Sequence, residues 1–275
     1  MMGLLKGWPS AWLACLMAAA VLGTLYAALL AAVWWGQERL LFYPEVLTDK
    51  HRFDLGPDVH ETWLEVPGAH LHALHLRLPQ PAGLVFYLHG NAGSLQSWFV
   101  NAEFYRRANF DLYMLDYRGY GKSSGRISSQ AQLQADARSA WDSVAARYAG
   151  LRRVVYGRSL GSGLAAMLAA DVQPELTVLV SPYRSMADLA HQHYPWVPGS
   201  LLRYPLRTDQ ALARVLGPVL LVHGARDDLI PVQHSLDLKQ RSPQADLLLL
   251  PDAGHGDIQV FPAYLDTYAG ALARL

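Results

Sequence analysis

Between Lys6 and Glu38 the chain carries no charged residue, and from Ala11 to Trp35 it consists almost entirely of Ala, Leu, Val, Met and Trp. A helix of about 20 residues crosses the roughly 30 Å hydrocarbon core of a bilayer, so this run can span one with tilt to spare. Trp8 and Trp12 at one end, and Trp34 and Trp35 at the other, stand where interfacial aromatic belts belong. A cleaved signal peptide, with Ala18-Ala19-Ala20 as its small-residue site, is the competing reading. The apolar run continues well past the roughly 7–15 residues such a signal needs. A buried core helix needs no aromatic belts and rarely runs this long. The expectation is a single-pass N-terminal membrane anchor over 1–37, with the lipid bilayer as partner, followed by one domain over 38–275. Lys6 and the α-amine flank one side, Arg39, Lys50 and Arg52 the other. The two flanks are nearly balanced, with a slight lean to the N-terminus in the cytoplasm and the catalytic domain outside it.

Composition narrows the function classes. Lys plus Arg and Asp plus Glu both number 23, so the formal net charge is zero. A nucleic-acid binder would carry a basic excess to neutralise phosphates. Hydrophobic residues at 52% against 17% charged exclude disorder as the dominant state. The single cysteine, Cys15, excludes an intramolecular disulfide and a Cys-based zinc site.

In the domain, the alternating runs Glu61–Val66 and His70–Leu78, with Pro67-Gly68 between them, predict an antiparallel hairpin. Shorter, nearly continuous apolar runs follow at Gly83–Leu88, Phe110–Leu115, Arg153–Tyr156, Leu176–Val180, Pro218–Val222 and Leu247–Leu250. Continuous apolar strands are typical of parallel sheets buried on both faces. Helical spacing over Ser128–Tyr148, and again over Val260–Leu275, completes a β-α alternation. The fold class is α/β, a mostly parallel sheet with helices on both faces.

Within this frame, Gly157-Arg158-Ser159-Leu160-Gly161 directly follows one strand and directly precedes the helical pattern Leu164–Ala170. A sharp strand-to-helix turn exposes a serine Oγ, and glycines on either side avoid β-carbon clashes with neighbouring backbone. Ser159 is therefore the candidate nucleophile. The strand Gly83–Leu88 ends in His89-Gly90-Asn91-Ala92-Gly93, a loop suited to supply an oxyanion-hole N–H. The expected pair is the N–H of Asn91 and that of Leu160. After strand Pro218–Val222 come Asp227 and Asp228; Asp227 is the first choice for the acid and Asp228 the reserve, one of them available as a helix cap near Pro231. His255, in a Gly-flanked loop before the last helix, is the candidate base. The order Ser159, Asp227, His255 is that of a nucleophile-elbow enzyme.

On these residues the chain resembles the α/β-hydrolase superfamily, and most closely the Bem46-type membrane-anchored serine hydrolases related to the ABHD13 and ABHD17 groups. The matching segments are Gln37-Glu-Arg-Leu-Leu-Phe-Tyr-Pro44, His89–Gly93, Asp116-Tyr-Arg-Gly-Tyr-Gly-Lys-Ser-Ser-Gly125, Tyr156–Gly161, His223–Pro231 and Gly254-His255. The resemblance implies an eight-stranded sheet, a Ser-His-Asp triad with the acid at Asp227, no cofactor and no metal. Ser at 159 sets the chain apart from dehalogenase and epoxide-hydrolase relatives, which carry Asp there.

Other patterns are weaker. Gly121-Lys122-Ser123 ends like a phosphate-binding loop, but Asp116 occupies the position of its first glycine. On a strand His70 and His72 share a face that His75 does not, so they do not converge on a metal. The aromatic, Pro-rich segment from His191 to Leu202 occupies the usual lid position, either a small apolar cap over an acyl pocket or a packing element without substrate contact. The function expected is hydrolysis of carboxylic esters or thioesters of acyl, lipid-like substrates through an acyl-enzyme. Two alternatives stay open: an aminopeptidase, which would need an anionic pocket group to hold the substrate amine, and a non-catalytic membrane-tethered binding protein.

Overall fold

The computed structural model describes residues 8–275, with side chains from Ala11 onward; Lys6 and the Trp8 side chain, on which part of the anchor reading rests, lie outside the described residues. Helix α1 (Trp8–Leu41) opens the chain. Its stretch Ala11–Leu41 has a mean hydropathy of 2.2 over its most apolar window, and none of that window is buried against the domain, so it is long and apolar enough to cross a membrane.

The helix does not stop at residue 37. Gln-Glu-Arg-Leu-Leu contains no breaker, and its Gln37 and Glu38 side chains are held by the domain. Gln37 Nε2 donates to Leu201 O at 2.8 Å and its Oε1 accepts from Arg203 N at 2.8 Å. Glu38 pairs with Arg203 at 2.7 Å and accepts from Tyr204 Oη at 2.7 Å. The Arg203 guanidinium lies over Trp34, and Tyr26 Oη donates to Trp196 O at 2.8 Å. The last turns of α1 are thus part of the domain's packing.

The chain continues through β1 (Tyr43–Pro44), β2 (Val59–Val66), β3 (Ala69–Leu76), β4 (Gly83–Leu88), β5 (Ala92–Gly93), α2 (Leu95–Trp98), α3 (Ala102–Ala108), β6 (Phe110–Leu115), α4 (Gln130–Ala145), β7 (Arg152–Arg158), α5 (Leu160–Val172), β8 (Leu176–Val180), α6 (Met186–His193), α7 (Thr208–Leu212), β9 (Val219–Gly224), α8 (Gln233–Arg241), β10 (Ala245–Leu250) and α9 (Pro262–Ala273). Eight strands form one sheet in the order β10-β9-β8-β7-β4-β6-β3-β2. The hairpin β2–β3 and the pair β3–β6 are antiparallel, and the other five pairings are parallel. The short strands β1 and β5 pair separately, in parallel.

The continuous apolar character of the central strands follows from burial on both faces. In β4, Leu84, Phe86 and Leu88 join the core beneath α4, α5 and α7, whereas Val85 and Tyr87 join the core beneath α2, α3 and α9. Helix α4 starts at Gln130 because the Ser129 hydroxyl accepts from Gln132 N at 3.1 Å and caps it. From β4 the chain crosses to β6 on one side and then to β7 on the other. The ends of β4 and β7 therefore lie side by side, Leu88 opposite Gly157, at the switch point where α/β sheets bind ligands.

Candidate active site

Ser159 sits at the end of β7 with φ 53° and ψ −123°, a region that costs a non-glycine residue about 1–3 kcal/mol. The packing around the turn enforces it. A β-carbon on Gly161 would meet Leu88 O at 2.1 Å, and one on Gly157 would meet Gly161 O and the Ala165 β-carbon at 2.4 Å. Ser159 N donates to Val180 O at 2.9 Å, and Tyr183 Oη donates to Leu160 O at 3.0 Å. The two glycines allow β4, β7 and α5 to approach closely, and the serine is fixed where they meet.

His255 reaches this serine from the loop after β10. Its Nε2 lies 3.0 Å from Ser159 Oγ and its Nδ1 lies 2.8 Å from Asp227 Oδ2. The other Asp227 oxygen accepts from Leu229 N at 3.1 Å and Ile230 N at 2.8 Å. Burial raises the pKa of this carboxyl, but the His223 and His255 side chains and the Ile230 N–H outweigh burial and hold it well below the usual carboxylate range. Asp227 therefore orients His255 and also caps the turn before α8. Asp228 is exposed and does neither, so the division of labour between two carboxylates expected from the sequence reduces to one residue with both jobs.

The loop His89–Gly93 lies beside the serine. A β-carbon on Gly90 would stand 2.8 Å from the Trp98 ring and 3.6 Å from the Ser159 β-carbon. Its path is set from outside. The Asn91 carbonyl accepts from Tyr43 N at 2.8 Å and from Tyr120 Oη at 2.6 Å, and Asn91 Nδ2 donates to Leu41 O at 3.3 Å. Tyr117 Oη donates to His89 O at 2.8 Å. Among the described residues neither the Asn91 N–H nor the Leu160 N–H has a protein acceptor. Leu160 is the first residue of α5, where such donors have no intrahelical partner and favour negative charge.

These residues open onto a cavity of about 460 Å³ that descends between the sheet and helices α3 and α9. Tyr87, Tyr105, Tyr156, Tyr264, Leu112 and Met114 form its depth, and Trp98 and Arg158 stand with Ser159 and His255 in its wall. Among the described residues no Asp or Glu lines it. The sequence did not single out these wall residues. The tyrosines read as ordinary core in continuous strands and helices; the one available signal was the Arg inside the Gly-x-Ser-x-Gly turn. The insertion at the lid position contributes α6, but none of residues 191–202 lines the cavity. It packs on α1 through Trp196 and Leu201, and His193 reaches only the carbonyl of Leu229 at the cavity's edge, 3.0 Å away. The histidines of the hairpin are dispersed: His70 is exposed, His72 bonds Glu61, and His75 bonds Tyr148 on the opposite face. Among the described residues no cluster of His, Cys, Asp and Glu is arranged to hold a metal ion.

Residues 79–208 match the family model described as serine aminopeptidase, S33. Over 249 residues the chain is 30% identical to an uncharacterized protein of Mycobacterium tuberculosis, a match covering 86% of this chain and 87% of that protein. It is also 30% identical over 211 residues to alpha/beta hydrolase domain-containing protein 17C of Xenopus tropicalis, covering 74% of this chain and 66% of the relative. An esterase of Pyrococcus furiosus superposes with a TM-score of 0.69 at 20% identity, over 85% of this chain and 97% of the esterase. Mouse alpha/beta hydrolase domain-containing protein 10 superposes with a TM-score of 0.60 at 20% identity, over 78% of this chain and 97% of its own. At such identities the structures speak for the fold, and the 30% relatives for the lineage. The chain belongs to the α/β-hydrolase superfamily, as a hydrolase similar to the alpha/beta hydrolase domain-containing 17 proteins.

Proposed function

We propose that this protein is a membrane-anchored serine hydrolase that cleaves carboxylic esters or thioesters of acyl substrates. The observation that carries the reading is the unbroken chain Ser159 Oγ, His255 Nε2, His255 Nδ1, Asp227 Oδ2, with contacts of 3.0 and 2.8 Å, opening on a cavity. In the mechanism, Ser159 Oγ attacks the acyl carbon while His255 Nε2 takes its proton. Asp227 keeps the other ring nitrogen as donor and stabilises the cation formed. The N–H groups of Asn91 and Leu160 donate to the developing oxyanion. His255 returns the proton to the leaving alcohol or thiol, and water, activated by the same imidazole, attacks the acyl-enzyme and frees the acid. The cavity, about 460 Å³ and lined by aromatic and apolar side chains, holds one arm of the substrate.

Helix α1 supports the membrane reading. Its stretch Ala11–Leu41 is long and apolar enough to cross the hydrocarbon core. The exposed Tyr194 and Trp196 lie where the domain meets it, suited to the interface.

The family model's name favours a second reading, an aminopeptidase. The absence of any carboxylate from the cavity lining argues against it, since a substrate ammonium would have no counter-charge there.

The test assays the full chain, in a neutral detergent, on p-nitrophenyl esters of increasing acyl length beside Ser159→Ala. The expected result is hydrolysis that falls by about 10⁴-fold or more in the variant while circular dichroism is unchanged. Hydrolysis retained by a folded Ser159→Ala protein contradicts the reading.

A further inference from the structure

Arg158, immediately before the nucleophile, is a cation for which the fold supplies no anion. It lines the cavity, and among the described residues it is the only Lys or Arg that does. Its one protein hydrogen bond runs from Nη2 to His255 O at 3.0 Å, leaving most of the five guanidinium donors unused. Its Cζ lies 5.4 Å from the centroid of the Trp98 ring, within cation–π reach. No carboxylate lines the cavity, and none pairs with this guanidinium among the described residues.

The neighbouring phenols reinforce the pattern. Tyr87 stacks on Tyr156 with centroids 4.3 Å apart, and the Tyr156 and Tyr264 hydroxyls are 2.8 Å apart. Burial pushes all three phenols well above their ordinary range, so they stay protonated donors at neutral pH. The cavity wall thus offers neutral hydroxyls and one cation, with no carboxylate among the described residues that line it. A half-buried arginine with a planar fork is suited to a carboxylate or phosphate, which it binds bidentately.

We propose, resting on the serine-hydrolase reading, that the substrate carries an oxyanion group, a carboxylate or a phosphate, which Arg158 binds beside the scissile acyl group. Arg158 is then a specificity-determining residue, and neutral acyl esters are the poorer substrates.

The competing role for Arg158 is a brace on the His255 loop through the carbonyl of His255. The two roles separate by selectivity. On the full chain in a neutral maltoside detergent, p-nitrophenyl hydrogen glutarate is compared with p-nitrophenyl pentanoate, and a lysophosphatidate with the monoacylglycerol of the same chain. The expected kcat/KM ratio of anionic to neutral ester is about 10- to 100-fold, the size of one charge-assisted contact, in at least one pair. The pair with the larger ratio tells whether carboxylate or phosphate is the natural group. Arg158→Gln collapses that ratio at least tenfold, mainly through KM, and Arg158→Lys restores part of it. A parallel fall on both members of each pair, with the ratio unchanged, overturns the proposal in favour of the brace. So does a wild-type enzyme with no anionic preference in either pair. If no ester is turned over, the serine-hydrolase reading fails on its own, and calorimetry on Ser159→Ala still decides the anion site. Tighter binding of monomethyl glutarate than of methyl pentanoate, lost on adding Arg158→Gln, supports it; equal binding overturns it.

Discussion

Two turns face each other at the mouth of the cavity, and they are held by opposite means. The turn at Ser159 is fixed by close packing: Gly157 lies against Gly161 and Ala165 within the turn, and Gly161 against Leu88 O of β4, with the positive φ of Ser159 held at the β7–α5 junction. The His89–Gly93 loop is held by hydrogen bonds, some local, from His89 to Gly90 O and from Trp98 Nε1 to Ala92 O, and others from far along the chain. It is tied by Tyr43 N, Tyr117 Oη and Tyr120 Oη, and by the Leu41 carbonyl at the end of α1. Ser159 is thus placed by close packing of the turn's glycines on one another and on β4, whereas the loop opposite is placed chiefly by hydrogen bonds. One of those bonds comes from the C-terminal end of the apolar helix, so the helix touches the edge of the sheet that carries Ser159.

Substitutions should respond accordingly. The largest effect is expected at Asp227, which bridges to the nucleophile through His255. Asp227→Asn should lower kcat by about 10⁴-fold in an ester assay, because the imidazole loses the partner that fixes its tautomer. It should also flatten the acid limb of stability. The Asp227 carboxylate is favoured in the folded state, so its contribution is complete above the unfolded value of about 4 and is lost as pH falls through the lower folded value. Denaturation between pH 4 and 2 reads the difference in slope. Next is Gly161→Ala, whose β-carbon has no space beside Leu88 O. It should cost about 3–5 kcal/mol, read as a shift in the denaturant midpoint. The loop should be softer: Tyr120→Phe removes one donor to Asn91 O and should cost about 1 kcal/mol of stability. If Tyr120→Phe proved as damaging as Gly161→Ala, the contrast between the two turns would be lost. The smallest effect has the opposite sign. Ser159→Gly relieves the positive φ and should raise stability by about 1 kcal/mol while abolishing turnover.

The same contrast explains what could be read from the chain. Ser159, its flanking glycines and the buried strands around them were legible because the pattern and the geometry are both local. Asp227 and His255 were legible through their positions at strand ends, which a parallel sheet brings to one edge. The walls of the cavity were not. Tyr87, Tyr105, Tyr156 and Tyr264 carry the same apolar pattern as core residues, and only the gap between the sheet and helices α3 and α9 turns them into a lining. The segment His191–Leu202 suggested a cover for that cavity by its place in the chain. Its carbonyls instead meet Tyr26 and Gln37 on α1, a docking that no periodicity encodes.

The central claim is that Ser159 is an activated nucleophile. The most direct measurement is intact mass spectrometry of the full chain after exposure to a fluorophosphonate, followed by peptide mapping. The expected result is one adduct per chain, on Ser159, absent from Ser159→Ala and slowed by Asp227→Asn. An unlabelled folded protein, or an adduct that persists in Ser159→Ala, would contradict it.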